Sequence, residues 1–279
     1  MKRIVLLSVL FLSVVSQTQA QSCCAKPKGM KEWALNTAFK ESHEPPLPFN
    51  FSSDKGSMVE FNTPDSKKGH AYYVPSEKPT TKVLVIFHEW WGLNDYIKRE
   101  AVRWQGLLGN VDVYAVDLYD GKVTDDPKKA SELAVGLDQK RGEDIVKGVL
   151  SLIGNDKMIA TLGWCMGGSW SFTASIDAGN RAYGCVMYYG FPPRDEQQIS
   201  PLKTDVMYVW GAQDKFISKE NVELFGNMVV ATGHKFNFFQ YDAVHAFANP
   251  SNPKYNAVYA SQAQDIAVKF LRSKLAISK

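Results

Sequence analysis

Residues 163–168 read Gly-Trp-Cys-Met-Gly-Gly, and this short segment constrains the fold of the chain more than any other. It follows an apolar run at 158–162 and opens a helical pattern at 169–176. Glycines on both sides of the Cys let a chain double back sharply between a strand and a helix, with Cys165 at the strained tip. The N-terminal end of the following helix favours a thiolate and any oxyanion beside it. The alternative is a glycine-rich turn that holds a buried structural Cys.

Apolar runs and amphipathic stretches alternate along the chain from residue 57 onward. The continuous apolar run at 82–87 is typical of a strand buried on both faces. The pattern predicts strands at 57–62, 70–74, 82–87, 111–119, 158–162, 183–189, 206–210 and 235–241, and helices at 94–108, 127–153 with a break near Gly142, 169–176, 220–231 and 255–275. This alternation predicts an α/β fold with a mostly parallel sheet and helices on both faces.

The first 20 residues have the features of a secretory signal peptide. Lys2 and Arg3 precede an apolar run at 4–15 and a small-residue cleavage site that ends at Ala20. An uncleaved N-terminal anchor and a lipid-modified Cys23 are the alternatives, although the residues before Cys23 are a poor lipid-attachment sequence. The sequence therefore predicts a secreted or periplasmic protein, with a signal peptide at 1–20, an N-terminal arm at 21–56 and one catalytic domain at 57–279.

The arm contains four prolines and only one short amphipathic piece, at 30–39. We therefore predict a loosely structured arm that can pack on the main domain. Loss of the signal peptide removes two basic residues, which lowers the formal net charge from +3 to +1. A nearly neutral chain without a basic block predicts no nucleic-acid partner and no membrane association after signal cleavage. The oligomeric state is left open.

The four cysteines fit neither a zinc-binding pattern nor a disulfide scaffold. Cys23 and Cys24 are adjacent and, in an oxidising compartment, could form an intermolecular or small-molecule disulfide. Cys185 lies in an apolar run, which is typical of a core residue. The sequence thus predicts no metal site and no cofactor.

Two residues at predicted strand ends complete a candidate catalytic triad with Cys165. Asp214 follows the strand at 206–210, and His245 follows the strand at 235–241. The chain order nucleophile, acid, base, with each residue at the carboxyl end of a strand, is that of an α/β-hydrolase. His245 would take the thiol proton, and Asp214 would orient and stabilise the imidazole. Taken singly, Asp214 could be a helix cap and His245 an ordinary loop histidine.

The loop at 88–92, which reads His-Glu-Trp-Trp-Gly, directly follows the first predicted parallel strand. In this fold that loop supplies one oxyanion-hole N–H, and the residue after the nucleophile supplies the other. The predicted donors are therefore Trp90 and Met166. Glu89 is predicted at the mouth of the site near the thiol, with a solvent-facing loop acid as the alternative. The other histidines are given smaller roles: His88 at most supports the site, and His43, His70 and His234 are predicted to lie away from it.

These motifs resemble those of the dienelactone hydrolase family. The matching segments lie within about 57–275 and comprise 88–94, 117–119, 163–168, 188–190, 211–214 and 245–247. The resemblance implies an α/β-hydrolase core with Cys165, His245 and Asp214 as its triad. It also implies a resting thiol that pairs with Glu89 until substrate binding frees the carboxylate to deprotonate it. The implied reaction is hydrolysis of a small-molecule ester or lactone through an acyl-enzyme.

Two positions depart from the family pattern. Members that open dienelactone carry an Arg two residues after the Asp-Leu-Tyr motif and another four residues after the catalytic His. Here these positions are Gly121 and Asn249, and the adjacent Lys122 cannot form the paired hydrogen bonds of an Arg. We therefore expect an apolar or aromatic ester or lactone. The predicted pocket is lined by Trp90, Trp91, Tyr119, Trp164 and Phe247, although core packing would explain each of these aromatic residues as well.

Two other classes of function are compatible with these motifs. One is a non-catalytic binding protein, or a thiol redox-responsive protein, on a hydrolase scaffold. The other is a different acyl-transfer enzyme, such as a thioesterase or a small-amide hydrolase. An intact set of Cys165, His245, Asp214 and Glu89 favours hydrolysis, since a binding module does not need all four.

Overall fold

A computed structural model describes residues 30–277 of the chain, so the predicted signal peptide, Cys23 and Cys24 lie outside the described residues. One eight-stranded sheet has the order β1-β2-β4-β3-β5-β6-β7-β8, in which β1, β2 and β4 pair antiparallel and all other neighbours pair parallel. The strands are β1 (Ser57–Asn62), β2 (Lys68–Val74), β3 (Lys82–Phe87), β4 (Asp112–Asp117), β5 (Met158–Trp164), β6 (Ala182–Tyr188), β7 (Val206–Gly211) and β8 (Phe236–Tyr241). The predicted α/β fold with a mostly parallel sheet is confirmed.

Nine α-helices connect or cover these strands within the described residues. They are α1 (Met30–Leu35), α2 (Thr37–Ser42), α3 (Asp95–Leu108), α4 (Pro127–Gly136), α5 (Gln139–Ile153), α6 (Met166–Ala178), α7 (Glu196–Ile199), α8 (Lys219–Ala231) and α9 (Ala257–Lys274). Polar side chains begin seven of them by accepting a first-turn N–H: Asn36, Asn94, Asp126, Asp138, Asp195, Ser218 and Asn256. None of the helices between residues 30 and 277 combines the length and apolar character needed to cross a membrane.

The order of the strands creates a crevice at one edge of the sheet. The chain runs from β3 outward to β4, and it then returns to place β5 on the other side of β3. The connections that leave β3 and β5 therefore diverge at their carboxyl ends, which is where open α/β sheets bind ligands. The loop at 88–92 and the turn at Cys165 lie at this point.

Buried hydrogen bonds fix α6 against the sheet behind that crevice. Ser171 on α6 donates to the hydroxyl of Thr161 on β5 at 2.9 Å, or to the carbonyl oxygen of Val186 on β6 at 3.0 Å. Thr161 in turn donates to the carbonyl oxygen of Ser171 at 2.9 Å. A buried polar group without a hydrogen-bond partner is costly. These bonds therefore fix the position of α6 against β5 and β6.

The predicted helix at 127–153 is two helices, and the break lies at Leu137 and Asp138 rather than near Gly142. Asp138 begins α5 because its side chain accepts a first-turn N–H at 3.0 Å. Gly142 lies within α5, where a Cβ would overlap the ring of Trp170 on α6. The glycine therefore permits close packing of two helices and does not end one.

The N-terminal arm is helical and packed, not loosely structured. Ala34 and Phe39 are fully buried, so α1 and α2 present an apolar side to the domain. Ser131 of α4 donates to the carbonyl oxygen of Ala34 at 2.6 Å, and Lys254 pairs with Glu44 at 3.0 Å. The described prolines of the arm all follow α2, which explains why they do not interrupt either helix.

Replacement of Gly142 with Ala is expected to lower the free energy of unfolding by about 1–3 kcal/mol, because the added methyl group displaces the Trp170 ring or α5. Gly106→Ala in α3 is the matched control, since its Cβ would meet no atom within 4 Å. Helix propensity predicts that this control stabilises the protein by about 0.5–1 kcal/mol. Chemical denaturation measures the change in the free energy of unfolding of each variant. A stabilised Gly142→Ala variant would contradict the close packing of α5 on α6.

Candidate active site

Cys165 lies at the turn between β5 and α6 in a strained backbone conformation. Its φ is 52° and its ψ is −119°, a region that residues other than glycine rarely adopt. The turn requires glycine at two neighbouring positions. A Cβ on Gly163 would overlap the carbonyl oxygen of Gly167, and a Cβ on Gly167 would overlap that of Phe87. The sharp turn predicted from the glycine pattern is therefore present.

Cys165, His245 and Asp214 come together as a hydrogen-bonded row. His245 Nε2 lies 3.3 Å from Cys165 Sγ, and His245 Nδ1 lies 2.7 Å from Asp214 Oδ2. The other carboxylate oxygen, Oδ1, accepts the backbone N–H groups of Phe216 at 2.8 Å and Ile217 at 3.0 Å. Since a carboxylate only accepts, Nδ1 of the imidazole carries the proton and Nε2 presents a lone pair to the thiol.

The thiol of Cys165 is almost fully buried, with 1% of the residue exposed. Burial raises the pKa of this thiol well above its usual range, and the nearby charge of Glu89 raises it further, while the backbone N–H of Met166 lowers it. At neutral pH the thiol is therefore protonated. Trp90, the other predicted oxyanion donor, has a backbone N–H with no acceptor within residues 30–277.

Glu89 is near enough to the thiol to raise its pKa, but the Glu89 carboxyl group is hydrogen-bonded to Asn249. Oε2 accepts a short bond from the Asn249 amide, and Oε1 is buried without a partner of normal geometry in the described chain. Burial raises the pKa of Glu89 to about 8, against the opposing effects of Tyr189 and Asn249. The thiol–Glu89 pairing implied by the family resemblance is absent from this conformation, in which Sγ faces His245 instead. Asn249, at a position where the family pattern has Arg, holds the carboxylate.

His43, which we predicted to lie away from the site, is part of it. Its ring centre lies 5.4 Å from that of His245 and 4.8 Å from that of Trp90. Nδ1 donates to the carbonyl oxygen of Phe39 at 2.7 Å, and Nε2 is buried without a hydrogen-bond partner among the described residues. Burial lowers the pKa of His43 to about 3, and the neighbouring His245 lowers it as well. His43 is therefore neutral, with a lone pair on Nε2.

Aromatic rings from the arm and two loops close the site. Phe39, Phe191 and Phe216 lie with ring centres 6.1, 6.2 and 5.7 Å from that of His245. Phe39 also packs edge-on against Trp90 at 5.4 Å. Since His245 is itself only 7% exposed, a substrate reaches the thiol only when some of these rings move.

Three of the predicted pocket aromatics lie near the turn at Cys165 or on the loop at 88–92. The Tyr119 hydroxyl donates to Met166 Sδ at 3.2 Å, which places this ring beside the turn at Cys165 between β5 and α6, called the elbow below. Trp90 contacts the arm, and Trp91 packs edge-on against Trp90 at 5.0 Å between ring centres. These positions are compatible with a pocket, and they are equally part of the packed core.

Trp164 and Phe247 are placed elsewhere, which corrects the predicted pocket. Strand register pairs Trp164 with Tyr188, and both rings line a cavity of about 20 Å³ with residues of α3. Phe247 packs among three tyrosines, with centres 5.8 Å from Tyr189, 5.4 Å from Tyr241 and 6.5 Å from Tyr259. Trp164 directly precedes Cys165, and adjacent side chains at the end of a strand face opposite sides. Phe247 lies two residues after His245 in a turn, where the positive φ of Ala246, 59°, redirects the chain between them.

His88 has the supporting role predicted for it. Its Nε2 accepts the backbone N–H of Leu118 at 3.1 Å, so Nδ1 carries the proton and donates to the carbonyl oxygen of Glu89 at 2.5 Å. Burial lowers the pKa of His88, which keeps this bridge neutral. The bridge ties the loop after β3 to the end of β4.

Tyr189 is a further residue of the site; it lies in the family-matching segment 188–190, but no role was predicted for it. Its ring centre lies 5.1 Å from that of His245, and its buried hydroxyl is close enough to Glu89 to lower the pKa of that carboxyl. It directly follows β6, so its position at a strand end was the available signal. His70 and His234 lie beside Glu60 and Asp205 instead.

Comparison with known proteins supports this assignment of the fold. The model of the dienelactone hydrolase family matches residues 70–275. A relative from Aquifex aeolicus (strain VF5), provisionally named a carboxymethylenebutenolidase, is 23% identical over 236 residues, which cover 79% of this chain and 99% of that protein. A dienelactone hydrolase-like promiscuous phosphotriesterase from metagenomic libraries has a TM-score of 0.67 at 17% identity, covering 79% of this chain and 99% of that one. An esterase of Pyrococcus furiosus has a TM-score of 0.62 at 14% identity, covering 84% and 98%.

Phe39→Ala is expected to speed alkylation of Cys165 by iodoacetamide, because loss of the ring loosens the arm over the thiol. Leu35→Ala on the same arm is the control, since Leu35 is 63% exposed and contributes little to the contact. Peptide mass spectrometry measures the rate at each Cys. Cys185 is fully buried in the core and reports global unfolding, so faster labelling of Cys165 alone identifies local opening. Equal Cys165 rates in the two variants would show that the arm does not control access.

Proposed function

The chain belongs to the dienelactone hydrolase family of ester and lactone hydrolases, and we propose that it works through a Cys165–His245–Asp214 triad and an acyl-enzyme. The observation that carries this proposal is the position of His245. One ring nitrogen lies 3.3 Å from Cys165 Sγ, and the other lies 2.7 Å from Asp214. This is the arrangement in which an imidazole accepts a proton from a nucleophile while a carboxylate orients the ring.

In the acylation step, Nε2 of His245 takes the thiol proton and Sγ of Cys165 attacks the acyl carbon. Asp214 stabilises the imidazolium that forms. The N–H groups of Trp90 and Met166 donate to the oxyanion of the tetrahedral intermediate. Collapse of the intermediate breaks the bond to the leaving oxygen, which takes the proton back from His245. The products of this step are a thioester on Cys165 and an alcohol, or a single ring-opened acyl chain from a lactone.

In the deacylation step, water replaces the leaving alcohol. His245 accepts one proton from the water as its oxygen attacks the thioester carbon. The same two N–H groups hold the second oxyanion. Cleavage of the carbon–sulfur bond returns the proton to Sγ and releases a carboxylic acid.

Glu89 gives the buried thiol a second route to its reactive form. A protonated thiol is a weak nucleophile and oxidises slowly, which suits a resting enzyme. When Glu89 leaves Asn249 and turns to Sγ, its carboxylate accepts the thiol proton and activates Cys165. The contribution of the nearby Glu89 charge to the thiol pKa supports this proximity.

The substrate that fits best is an apolar or aromatic ester or lactone. Gly121 and Asn249 replace the arginines that bind the substrate carboxylate in dienelactone-opening members of the family. Aromatic rings lie around His245 and the turn at Cys165 instead: the Phe39 ring centre is 6.1 Å from that of His245, and the Tyr119 hydroxyl contacts Met166. Such a lining favours binding by apolar contact and ring stacking.

A non-catalytic thiol redox-responsive protein is the second candidate function. The observation that favours it is the closed site, in which the thiol is buried and protonated. A panel of nitrophenyl esters, run beside a peroxide titration of Cys165, separates the two. Turnover without ready formation of sulfenic acid supports the hydrolase, and the reverse result supports the sensor.

Cys165→Ala and Cys165→Ser are each expected to lower kcat/KM on an activated aryl ester by at least about 10³-fold, because Ala removes the nucleophile and Ser replaces the thiol with a hydroxyl that gives up its proton far less readily. Cys185→Ala is the matched control, since Cys185 lies in the core with its sulfur beside Ser171. Steady-state kinetics on the three variants measures the effect. Full activity in Cys165→Ala would reject the covalent mechanism.

Glu89→Gln is expected to lower kcat/KM by about 10²–10⁴-fold and to flatten its pH dependence. The pKa of Glu89 is raised to about 8, so the carboxyl is protonated below that pH and charged above it. Since the charged form accepts the thiol proton, kcat/KM of the native enzyme is expected to rise as the pH increases through about 8. A pH series on both proteins tests this, and an unchanged profile in Glu89→Gln would remove Glu89 from the mechanism.

A further inference from the structure

We propose that His43, Cys165 and His245 form a binding site for one thiophilic divalent cation, with Zn²⁺ as its probe, and that the N-terminal arm supplies the third ligand. All three side chains are buried, and one ligand atom from each lies within 4.8 Å of the others. Imidazole nitrogen and thiolate sulfur are the ligands that Zn²⁺ prefers in proteins. The cation is not part of the hydrolytic mechanism, and the site goes beyond the proposed function.

Both imidazoles already have the orientation of metal ligands. Histidines that bind metals usually donate their other ring N–H to a carboxylate or to a backbone carbonyl, which fixes the ring and its tautomer. Here Nδ1 of His245 donates to Asp214 at 2.7 Å, and Nδ1 of His43 donates to the carbonyl oxygen of Phe39 at 2.7 Å. Each ring therefore presents an unprotonated Nε2.

The second observation is the unsatisfied nitrogen of His43. Nε2 is buried and has no hydrogen-bond partner among residues 30–277, although an unpaired polar atom in the interior is costly. His43 is only 7% exposed. Its neighbours in the cluster are the sulfur and the nitrogen that a soft cation binds. A cation at their centre would satisfy this lone pair.

The geometry needs only a small adjustment. Tetrahedral Zn²⁺ with bonds of about 2.0–2.3 Å places its ligand atoms roughly 3.3–3.8 Å apart. Cys165 Sγ and His245 Nε2 are already 3.3 Å apart, and all three ligand atoms lie within 4.8 Å of one another, so His43 has to approach by up to about 1.5 Å. On binding, the Cys165 S–H bond breaks, its proton leaves to solvent and a zinc–sulfur bond forms. The two histidines donate lone pairs without losing protons, and the fourth position takes water.

A bound cation would have two consequences for the protein. It would occupy the nucleophile and the base together, so acyl transfer would stop. It would also join α2 to the loop that carries His245 and to the elbow, so the arm would be held closed. These effects rest on the positions of the three ligands and do not require that the chain be an enzyme.

The test is a Zn²⁺ titration by calorimetry on the full chain carrying Cys23→Ser and Cys24→Ser, which removes the two thiols outside the described residues. We expect one Zn²⁺ per chain. His43→Phe is expected to weaken binding by at least about 10-fold while an aromatic ring still fills the space beside Trp90. Cys165→Ser is expected to weaken it similarly. His70→Phe, on β2 beside Glu60, is the matched control and is expected to leave the affinity unchanged.

Two further readouts are independent of turnover. Co²⁺ in place of Zn²⁺ is expected to give a thiolate-to-metal absorption band that Cys165→Ser lacks. Zn²⁺ is expected to raise the Tm of the parent chain but not that of His43→Phe, because only a bound ligand stabilises the folded state. Unchanged affinity in His43→Phe, or the absence of stoichiometric Zn²⁺ binding by the parent chain, would overturn the proposal. Either result would leave the hydrolase proposal untouched, since that depends on ester turnover.

Discussion

The close contact of α6 with the ends of β3 and β5 is the constraint on which the site depends. Gly167 lies against the backbone of Phe87, and Gly163 lies against Gly167, so the helix begins directly over the sheet. Cys165 is forced into a positive φ at the tip of this turn. Parallel strands end at one edge of the sheet, and the loops that carry Glu89, Asp214 and His245 converge there as a result. A side chain at either glycine would move the thiol away from all of them.

Exclusion of water sets the protonation states inside the closed site. Burial raises the pKa of the Cys165 thiol and raises that of Glu89 to about 8, while it lowers that of His43 to about 3. All three shifts favour the neutral form, because a charge in a dry interior is costly unless it is paired. The closed conformation is therefore a resting state. On the proposed route through His245, the thiolate forms beside an imidazolium, and the buried carboxylate of Asp214 stabilises that ion pair.

The sequence predicted those features that depend on local pattern. The predicted bounds of β1 and β3 agree with the observed ones, because an alternating pattern or a continuous apolar run is visible within the six residues of the strand itself. The helix predicted at 94–108 agrees with α3 to within one residue, since Asn94 is the residue that caps it. The site loops followed from the strands, since each candidate lies at a strand end.

Several of the errors concern contacts that join distant parts of the chain. The role of Gly142 depends on Trp170 across a helix pair, and the hydrogen bond from Asn249 to Glu89 spans 160 residues. Whether the Trp164 side chain faces the thiol or α3 depends on the strand register, because a shift of one residue turns a side chain to the other side. Nothing near His43 in the sequence indicates that it reaches His245. The predicted signal peptide lies outside the described residues, and secretion stays a prediction.

The arm separates what this chain shares with its family from what it adds. The family match covers residues 70–275, which contain Cys165, His245, Asp214, Trp90 and Met166, whereas Phe39 and His43 precede it. The proposed acyl-transfer mechanism therefore rests on residues inside the family match. Phe39, which is one of the rings that close the site, and the unpaired nitrogen of His43 come from a segment whose helices form through packing on the core. Because α1 and α2 are only six residues each, they are too short to be stable without this packing. Access to the thiol and the polarity of its surroundings thus depend in part on a segment that precedes the family match.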